Sequence, residues 1–334
     1  MATPSSSSVP LYPAYPLNVQ EQYVTTIMGI CSVFGSAIII IAYAVVDQSP
    51  TTLWRNLMIF LSIFDMQQGF YYISVGLFNY TDVGKITPLC TAIGLSNIYS
   101  TTASYLCTGC IAFLVNDIVK ATPVVKNGRY IYLIFLGYPL LVSVAVFVLH
   151  MVGKEPVITP DTDQYGCYIN QSHELERWIA SYIPMLSSWV VCSIYNLQAY
   201  RRLKQVVTPG SDVTENNGNR VIHNMMRRLL IVPFGFVLLR LPDISYRILE
   251  LFYREQNVNE MQIADWFVFL QAGLNPAQGV WNCVLLAIYS RRLRRGFLEW
   301  CCCNCRKKKD VERKLIGSQN PYYSNPPEDD NDFR

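Results

Sequence analysis

Apolar residues run along this chain in long blocks rather than in the short alternations of a soluble fold. A helix needs about 20 mostly apolar residues to cross the hydrocarbon core of a bilayer. Seven blocks are that long: Val24 to Val46, about Leu53 to Phe78, about Thr91 to Val119, Tyr130 to Val152, about Trp178 to Leu203, about Leu229 to Phe252, and Ile263 to Tyr289. The pattern predicts an all-α protein, a seven-transmembrane helix bundle over residues 24–289. Ser, Thr, Tyr and Cys interrupt the third and fifth blocks. Small and hydroxyl residues suit close helix packing, so these two spans are expected to face other helices. No internal repeat is visible, which argues against transporter folds assembled from repeated units.

Charge then orients the bundle. Of the 27 Lys and Arg, 21 fall in segments on one side, four (Lys85, Lys154, Arg177, Arg254) on the other, and two (Arg240, Arg247) within the sixth span. Basic residues collect on the cytoplasmic side, so the N-terminus is expected outside and the C-terminus inside. Two Asn-x-Ser/Thr sequons, at Asn79 and Asn170, fall in loops this topology places outside and are candidate glycosylation sites. Residues 1–23 contain four Pro and the run Ser5 to Ser8. They lack the basic and apolar regions of a cleavable signal peptide and read as a disordered extracellular tail. The inner loop around "TPGSDVTENNGNR" reads as a flexible connector, and residues 306–334 as a disordered cytoplasmic tail. Composition agrees: 51% hydrophobic and only 15% charged, against about 25% charged in soluble domains. A net charge of +3 points to no nucleic-acid partner.

Several residues are out of keeping with an apolar span. Cys90 and Cys167 are the two cysteines on the outer side, an oxidising compartment, and a bridge between them would tie the second outer loop to the third helix. Cys31, Cys107, Cys110, Cys192 and Cys283 lie within spans and read as small packing residues. Asp65 sits deep in the second span, where a carboxylate is costly and by default a functional candidate, either a conformational relay or a hydrogen-bonded packing group. Arg240 is about 18 Å deep in the sixth span at 1.5 Å per residue. Asp243 and Arg247 follow it on the same face, while Pro233 and Pro242 bend the helix. The cluster is a moving part, a static ion-pair brace, or a contact for a polar or anionic ligand. In the seventh span "GLNPAQGVW" brings Asn275, Pro276, Gly279 and Trp281 together as a candidate hinge. There is no HExxH and no P-loop. The three histidines, His150, His173 and His223, form no ligand cluster. No enzyme, metal site or cofactor is expected.

After the last span comes "SRRLRRGFLEWCCCNCRKKK". Leu293, Phe297, Leu298 and Trp300 share one helical face with arginines around them, which predicts an amphipathic eighth helix on the inner leaflet over residues 290–305. Cys301, Cys302, Cys303 and Cys305 follow it beside a basic run. A reducing compartment disfavours a disulfide knot, and three contiguous cysteines with no histidine nearby make a poor zinc site. Juxtamembrane cysteines of this kind are candidates for reversible palmitoylation.

The Cys90/Cys167 pair, "YGCYI" in the second outer loop, "GYPLLVS" in the fourth span and "QGVW" in the seventh resemble the cAMP-receptor-like family (class E) of G-protein-coupled receptors, with secretin-type receptors as more distant relatives. The resemblance covers roughly residues 20 to 300. It implies a plasma-membrane receptor that passes an extracellular ligand signal, cAMP or another small molecule, to a heterotrimeric G protein. The implied G-protein contacts are Asn116, Asp117, Lys120, Pro123, Arg201, Arg202, Arg227 and Arg228. Lipid-headgroup anchoring is the alternative role for the basic ones. The third span ends "FLVNDIVK" without the DRY motif of rhodopsin-like receptors. Asn275-Pro276 continues as Ala-Gln-Gly and lies too far out for that family's inner switch. A seven-helix transporter or channel using Asp65, Arg240 and Asp243 as a polar path is the competing expectation.

Overall fold

The computed structural model describes residues 19–45, 53–77, 87–118, 128–153, 155–161, 166–170, 172–206, 232–245, 248 and 269–289. Within them the architecture is helical with one small hairpin. The helices are α1 (Val19–Val45), α2 (Leu53–Leu77), α3 (Thr87–Ile118), α4 (Arg129–Val152), α5 (174–206), α6 (232–245) and α7 (269–274 continuing as Gln278–Tyr289). Two strands, β1 (Ile158–Asp161) and β2 (Gly166–Ile169), pair antiparallel between α4 and α5. Helices α4 and α5 each contain one π-helical stretch, Leu133–Gly137 and Trp178–Tyr182.

Among the described residues four helices are long and apolar enough to span a bilayer: Gln20–Ala44, Pro88–Asp117, Arg129–Val152 and Glu174–Arg202. The chain is a multi-pass membrane protein. Helix α2 is 25 residues long but carries Asn56, Asp65, Gln67 and Gln68, which lower its hydropathy. Of the expected sixth and seventh spans, only α6 and α7 fall within the described residues. Residues 1–18 of the expected N-terminal tail, the expected C-terminal tail, the eighth helix and the cysteine cluster at 301–305 lie outside them, as do Asn79, Lys120, Pro123, Arg227, Arg228 and Arg247; residues 19–23, expected in the tail, form the start of α1. Helices α1, α3 and α5 begin four or five residues before their apolar blocks, because polar first turns such as Val19-Gln20-Glu21-Gln22 are as helical as the apolar turns they precede.

Helix α3 is the centre of the bundle and packs on α2, α4, α5 and both strands. In its most apolar window 78% of residues are buried, against 28% for α4. The expectation that the third span faces other helices therefore holds. For the fifth it holds along one side only: Met185 and Cys192 pack with Tyr105 and Ala112 of α3 and Phe236 and Ile244 of α6, while only 33% of its most apolar window is buried. The reason is local. Ser187 and Ser193 donate to the carbonyls of Pro184 and Trp189, three and four residues back on their own helix. A hydroxyl satisfied in that way has no need of a neighbour. The outward face of α4 carries Leu133, Leu140, Leu141, Val144, Phe147 and Met151 exposed, as a lipid-facing surface should.

Helix α1 lies along α2 and α7. Its contact with α7 depends on two glycines. A Cβ on Gly35 would stand 2.8 Å from Val280 Cα, and one on Gly279 would stand 2.7 Å from the Ser32 carbonyl oxygen. The Gly279 N–H donates to Ser32 Oγ at 3.1 Å.

The hairpin closes one end of the bundle, and periodicity did not anticipate it. Cys90 at the start of α3 is disulfide-bonded to Cys167 in β2, 77 residues on. Val157, Ile158, Cys167, Tyr168 and Ile169 form one buried cluster with Cys90 and Ile98 of α3, Val142 and Val146 of α4, and Ala180 of α5. The Ile158 N–H donates to His150 Nδ1 at 3.2 Å, and Thr91 Oγ1 lies 3.0 Å from His150 Nε2. With Nδ1 accepting, a neutral ring carries its proton on Nε2 and donates to Thr91. The Tyr168 and Ser181 hydroxyls also hydrogen-bond.

A crosslink over a span of this length stabilises a fold by about 4 kcal/mol. Cys90→Ser, Cys167→Ser and the double variant are therefore expected to lower thermal stability in detergent by one common amount. A double variant clearly worse than either single would show that each thiol acts alone.

Candidate functional site

Below the hairpin, α2, α3, α6 and α7 turn their polar side chains toward one another. Arg240 of α6 is 1% exposed. Its Nη1 donates to Asn275 Oδ1 at 3.0 Å, and its Nη2 to Gln278 Oε1 at 2.9 Å and Gln68 Oε1 at 3.3 Å. Tyr72 is a further hydrogen-bond partner. The guanidinium carbon lies 4.9 Å from the centroid of the Tyr105 ring, within cation–π range. Gln278 then donates from Nε2 to Ser104 Oγ at 3.0 Å. Ser104 donates to Asp65 Oδ1 at 2.9 Å, and Asn282 donates to Asp65 Oδ2 at 2.9 Å. An unbroken chain of hydrogen bonds thus runs from Arg240 through Gln278 and Ser104 to Asp65. In a low-dielectric interior each link polarises the next.

Local structure explains why these side chains converge. Asp65, Gln68 and Tyr72 stand at i, i+3 and i+7 on α2. Asn275, Gln278 and Asn282 repeat that spacing on α7, and Ser100 and Ser104 share a face of α3. In each case the spacing places polar groups on one stripe of a helix. Pro276 has no N–H, and α7 is non-helical from 275 to 277. The Ala277 N–H reaches back only to Leu274, at 3.2 Å, before the regular ladder resumes with Trp281 to Ala277 at 2.9 Å. The broken turn lets Asn275 and Gln278 approach the same guanidinium from either side of the break.

Arg240 and Asn275 are thus brought together directly, and Asp65 joins them through Gln278 and Ser104. The hydrogen bonds of Arg240 named above go to neutral groups, three amide oxygens and the Tyr72 hydroxyl, rather than to carboxylates. Asp243 accepts a hydrogen bond from Gln271 on α7 and, with Asp65, is a carboxylate whose field reaches Arg240. Gly279 lies on the α1 side of α7, and Trp281 on the α6 side against Gly235. Sequence reasoning did not single out Gln68, Tyr72, Ser104, Tyr105, Gln271, Gln278 or Asn282. The i, i+3, i+7 stripes of amides in "DMQQGFYY" and "NPAQGVWN" were the available signal.

At the opposite end, Asn116 and Asp117 are each 1% exposed. Asn116 Nδ2 donates to Gln198 Oε1 on α5 at 3.3 Å. In this conformation neither side chain is at the surface, whereas Arg201 is exposed and Arg202 half-buried. Asn170 ends β2 half-buried, its Oδ1 accepting the Ser172 N–H.

No family model matches the chain. Over 299 residues it is 22% identical to G-protein coupled receptor 157 of Rattus norvegicus, spanning 85% of this chain and 86% of that protein. The chain is similar to a G-protein-coupled receptor over most of its length. That similarity, with the apolar helices, accords with a multi-pass membrane protein and does not reach the narrower cAMP-receptor-like assignment.

Two experiments check the network. Asp65→Asn leaves one acceptor where two donors now converge and is expected to cost about 1–3 kcal/mol in thermal unfolding. A double-mutant cycle between Arg240→Met and Gln278→Met should return a coupling of about 1–2 kcal/mol. Additive effects would mean that the two side chains do not act as one unit.

Proposed function

We propose that the protein is a seven-helix G-protein-coupled receptor of the plasma membrane, with its N-terminus outside, allied to the cAMP-receptor-like group. The observation that carries the reading is the similarity to a receptor along 85% of the chain, far more than a single motif. The polar network supports it. Four helices meet through side chains that exchange partners readily, so a shift of α6 or α7 is felt at Asp65. The hairpin end would receive a small extracellular ligand, cyclic nucleotides among the candidates. An agonist would act by binding one arrangement of the network better than the other, moving the equilibrium by that difference in affinity and no more.

The heterotrimeric G protein would dock at the far end, on Lys120, Pro123, Arg201, Arg202, Arg227 and Arg228. Asn116 and Asp117 would come into reach once α3 and α5 part. Arg247, near the network in sequence, would join its charges. Asn79 and Asn170 would carry glycans. Palmitoyl chains on Cys301, Cys302, Cys303 and Cys305 would hold an amphipathic segment to the inner leaflet.

The test is nucleotide exchange on co-expressed Gα subunits of each class, under a ligand panel that includes cyclic nucleotides. One ligand is expected to raise exchange, and Asp65→Asn to blunt the response without preventing expression. No exchange across the panel, alongside substrate flux in vesicles, would overturn the receptor in favour of a transporter. For the tail, hydroxylamine-sensitive acylation is expected by mass spectrometry. Four unmodified thiols would remove the lipid anchor from the reading.

A further inference from the structure

The contact between α6 and α7 next to the polar network is tight and, on one side, unsatisfied. Gly235 of α6 is covered by the indole of Trp281. A methyl group there would overlap the indole nitrogen and lie 2.6 Å from Cδ1 and 3.0 Å from Cε2. Those are atoms of a rigid ring, not the tip of a flexible chain, so the indole itself would have to move. The Nε1–H of Trp281 is buried and has no hydrogen-bond acceptor among the described residues. A buried donor without a partner raises the free energy of the conformation that contains it. These are independent observations: one is steric, the other polar.

The surroundings allow the contact to change. Pro276 interrupts α7 five residues before Trp281, so this helix has lost a ladder hydrogen bond close by, and Pro233, two residues before Gly235 in α6, has no N–H to donate. The Gln278–Tyr289 segment of α7 is a helix in its own right. It carries Trp281 together with Gln278 and Asn282, whose bonds to Arg240, Ser104 and Asp65 hold it in place. One end of this short helix is thus restrained by the network while its indole is left with an orphan donor.

We propose that Trp281 is a two-position switch between α6 and α7. In the conformation described here the indole is pressed on Gly235 with its N–H unpaired. In the second, α6 and the Gln278–Tyr289 segment separate at this point and the N–H gains an acceptor. Moving the segment also loads the bonds of Gln278 and Asn282, so the switch and the polar network respond together. The link from this switch to signalling rests on the receptor reading; the switch itself does not.

The test uses the full-length protein labelled with 5-fluorotryptophan. The chain has six tryptophans, and the Trp281 resonance is assigned by its loss in Trp281→Phe. Two Trp281 environments are expected, with Gly235→Ala raising the population of the second at least threefold. Replacing Trp281 with benzothienylalanine, which keeps the bicyclic shape and removes the N–H, is expected to raise thermal stability, since the unpaired buried donor is gone. If Gly235→Ala does not fold, the benzothienylalanine protein decides alone. A single Trp281 resonance unaffected by Gly235→Ala, or lower stability on removing the N–H, overturns the switch. Basal nucleotide exchange is read in parallel, with a threefold rise expected for Gly235→Ala. Fluorine signals that behave as expected with no exchange on any Gα would leave the switch standing and remove the receptor.

Discussion

A guanidinium removed from water has to be given hydrogen-bond acceptors, and in the interior of a helical bundle no single helix can supply enough of them. Arg240 meets this constraint at both terminal nitrogens, drawing oxygens from Gln68 on α2 and from Asn275 and Gln278 on α7, while Tyr105 of α3 offers its ring face and Nε has no acceptor among the described residues. The need is strict because an uncompensated buried charge costs several kcal/mol. It fixes how deep α6 sits, how α7 is rotated, and why α7 is best broken at Pro276, where two residues on either side of a disrupted turn reach one partner.

The charges are also spaced in a particular way. Asp65 does not touch Arg240 directly. Gln278 and Ser104 stand between them, and their dipoles carry the interaction from one charge to the other. A direct buried ion pair is hard to separate, since breaking it strands both partners. A relay of amides and hydroxyls breaks one link at a time and can reform with other groups. That makes it better suited to a protein that changes state than to one that only needs bracing.

Much of this was readable beforehand. Asp65 and Arg240 stand out as isolated charges in apolar runs, Pro276 marks its own break, and the location of Cys90 and Cys167 on the same side indicated the bridge. The amides were less visible. Gln68, Gln278 and Asn282 lower hydropathy without interrupting a block, so they read as tolerable blemishes. The strands were hidden because "ITPD" and "GCYI" are four residues each and one contains a proline, too short for alternation to register. Asn116 and Asp117 lie among residues expected at the inner surface, yet they turn inward. Nothing in the local sequence distinguishes a polar residue facing a neighbouring helix from one facing the cytosol.

The hydroxyls carry a wider lesson. Thr26, Ser62, Ser74, Ser100, Thr108, Ser187 and Ser193 all donate to carbonyls three or four residues back on their own helices. Asn56, Gln67, Gln68, Asn116, Gln271, Gln278 and Asn282 instead reach across to another helix. The difference is one of valence: a hydroxyl has one proton to place and can place it at home, while an amide has two and an oxygen besides. Polarity in a membrane sequence is thus two alphabets written in the same ink. Serine and threonine speak in both senses, since Thr25, Thr102 and Ser104 do reach across, whereas each of these seven amides marks a helix that lies alongside.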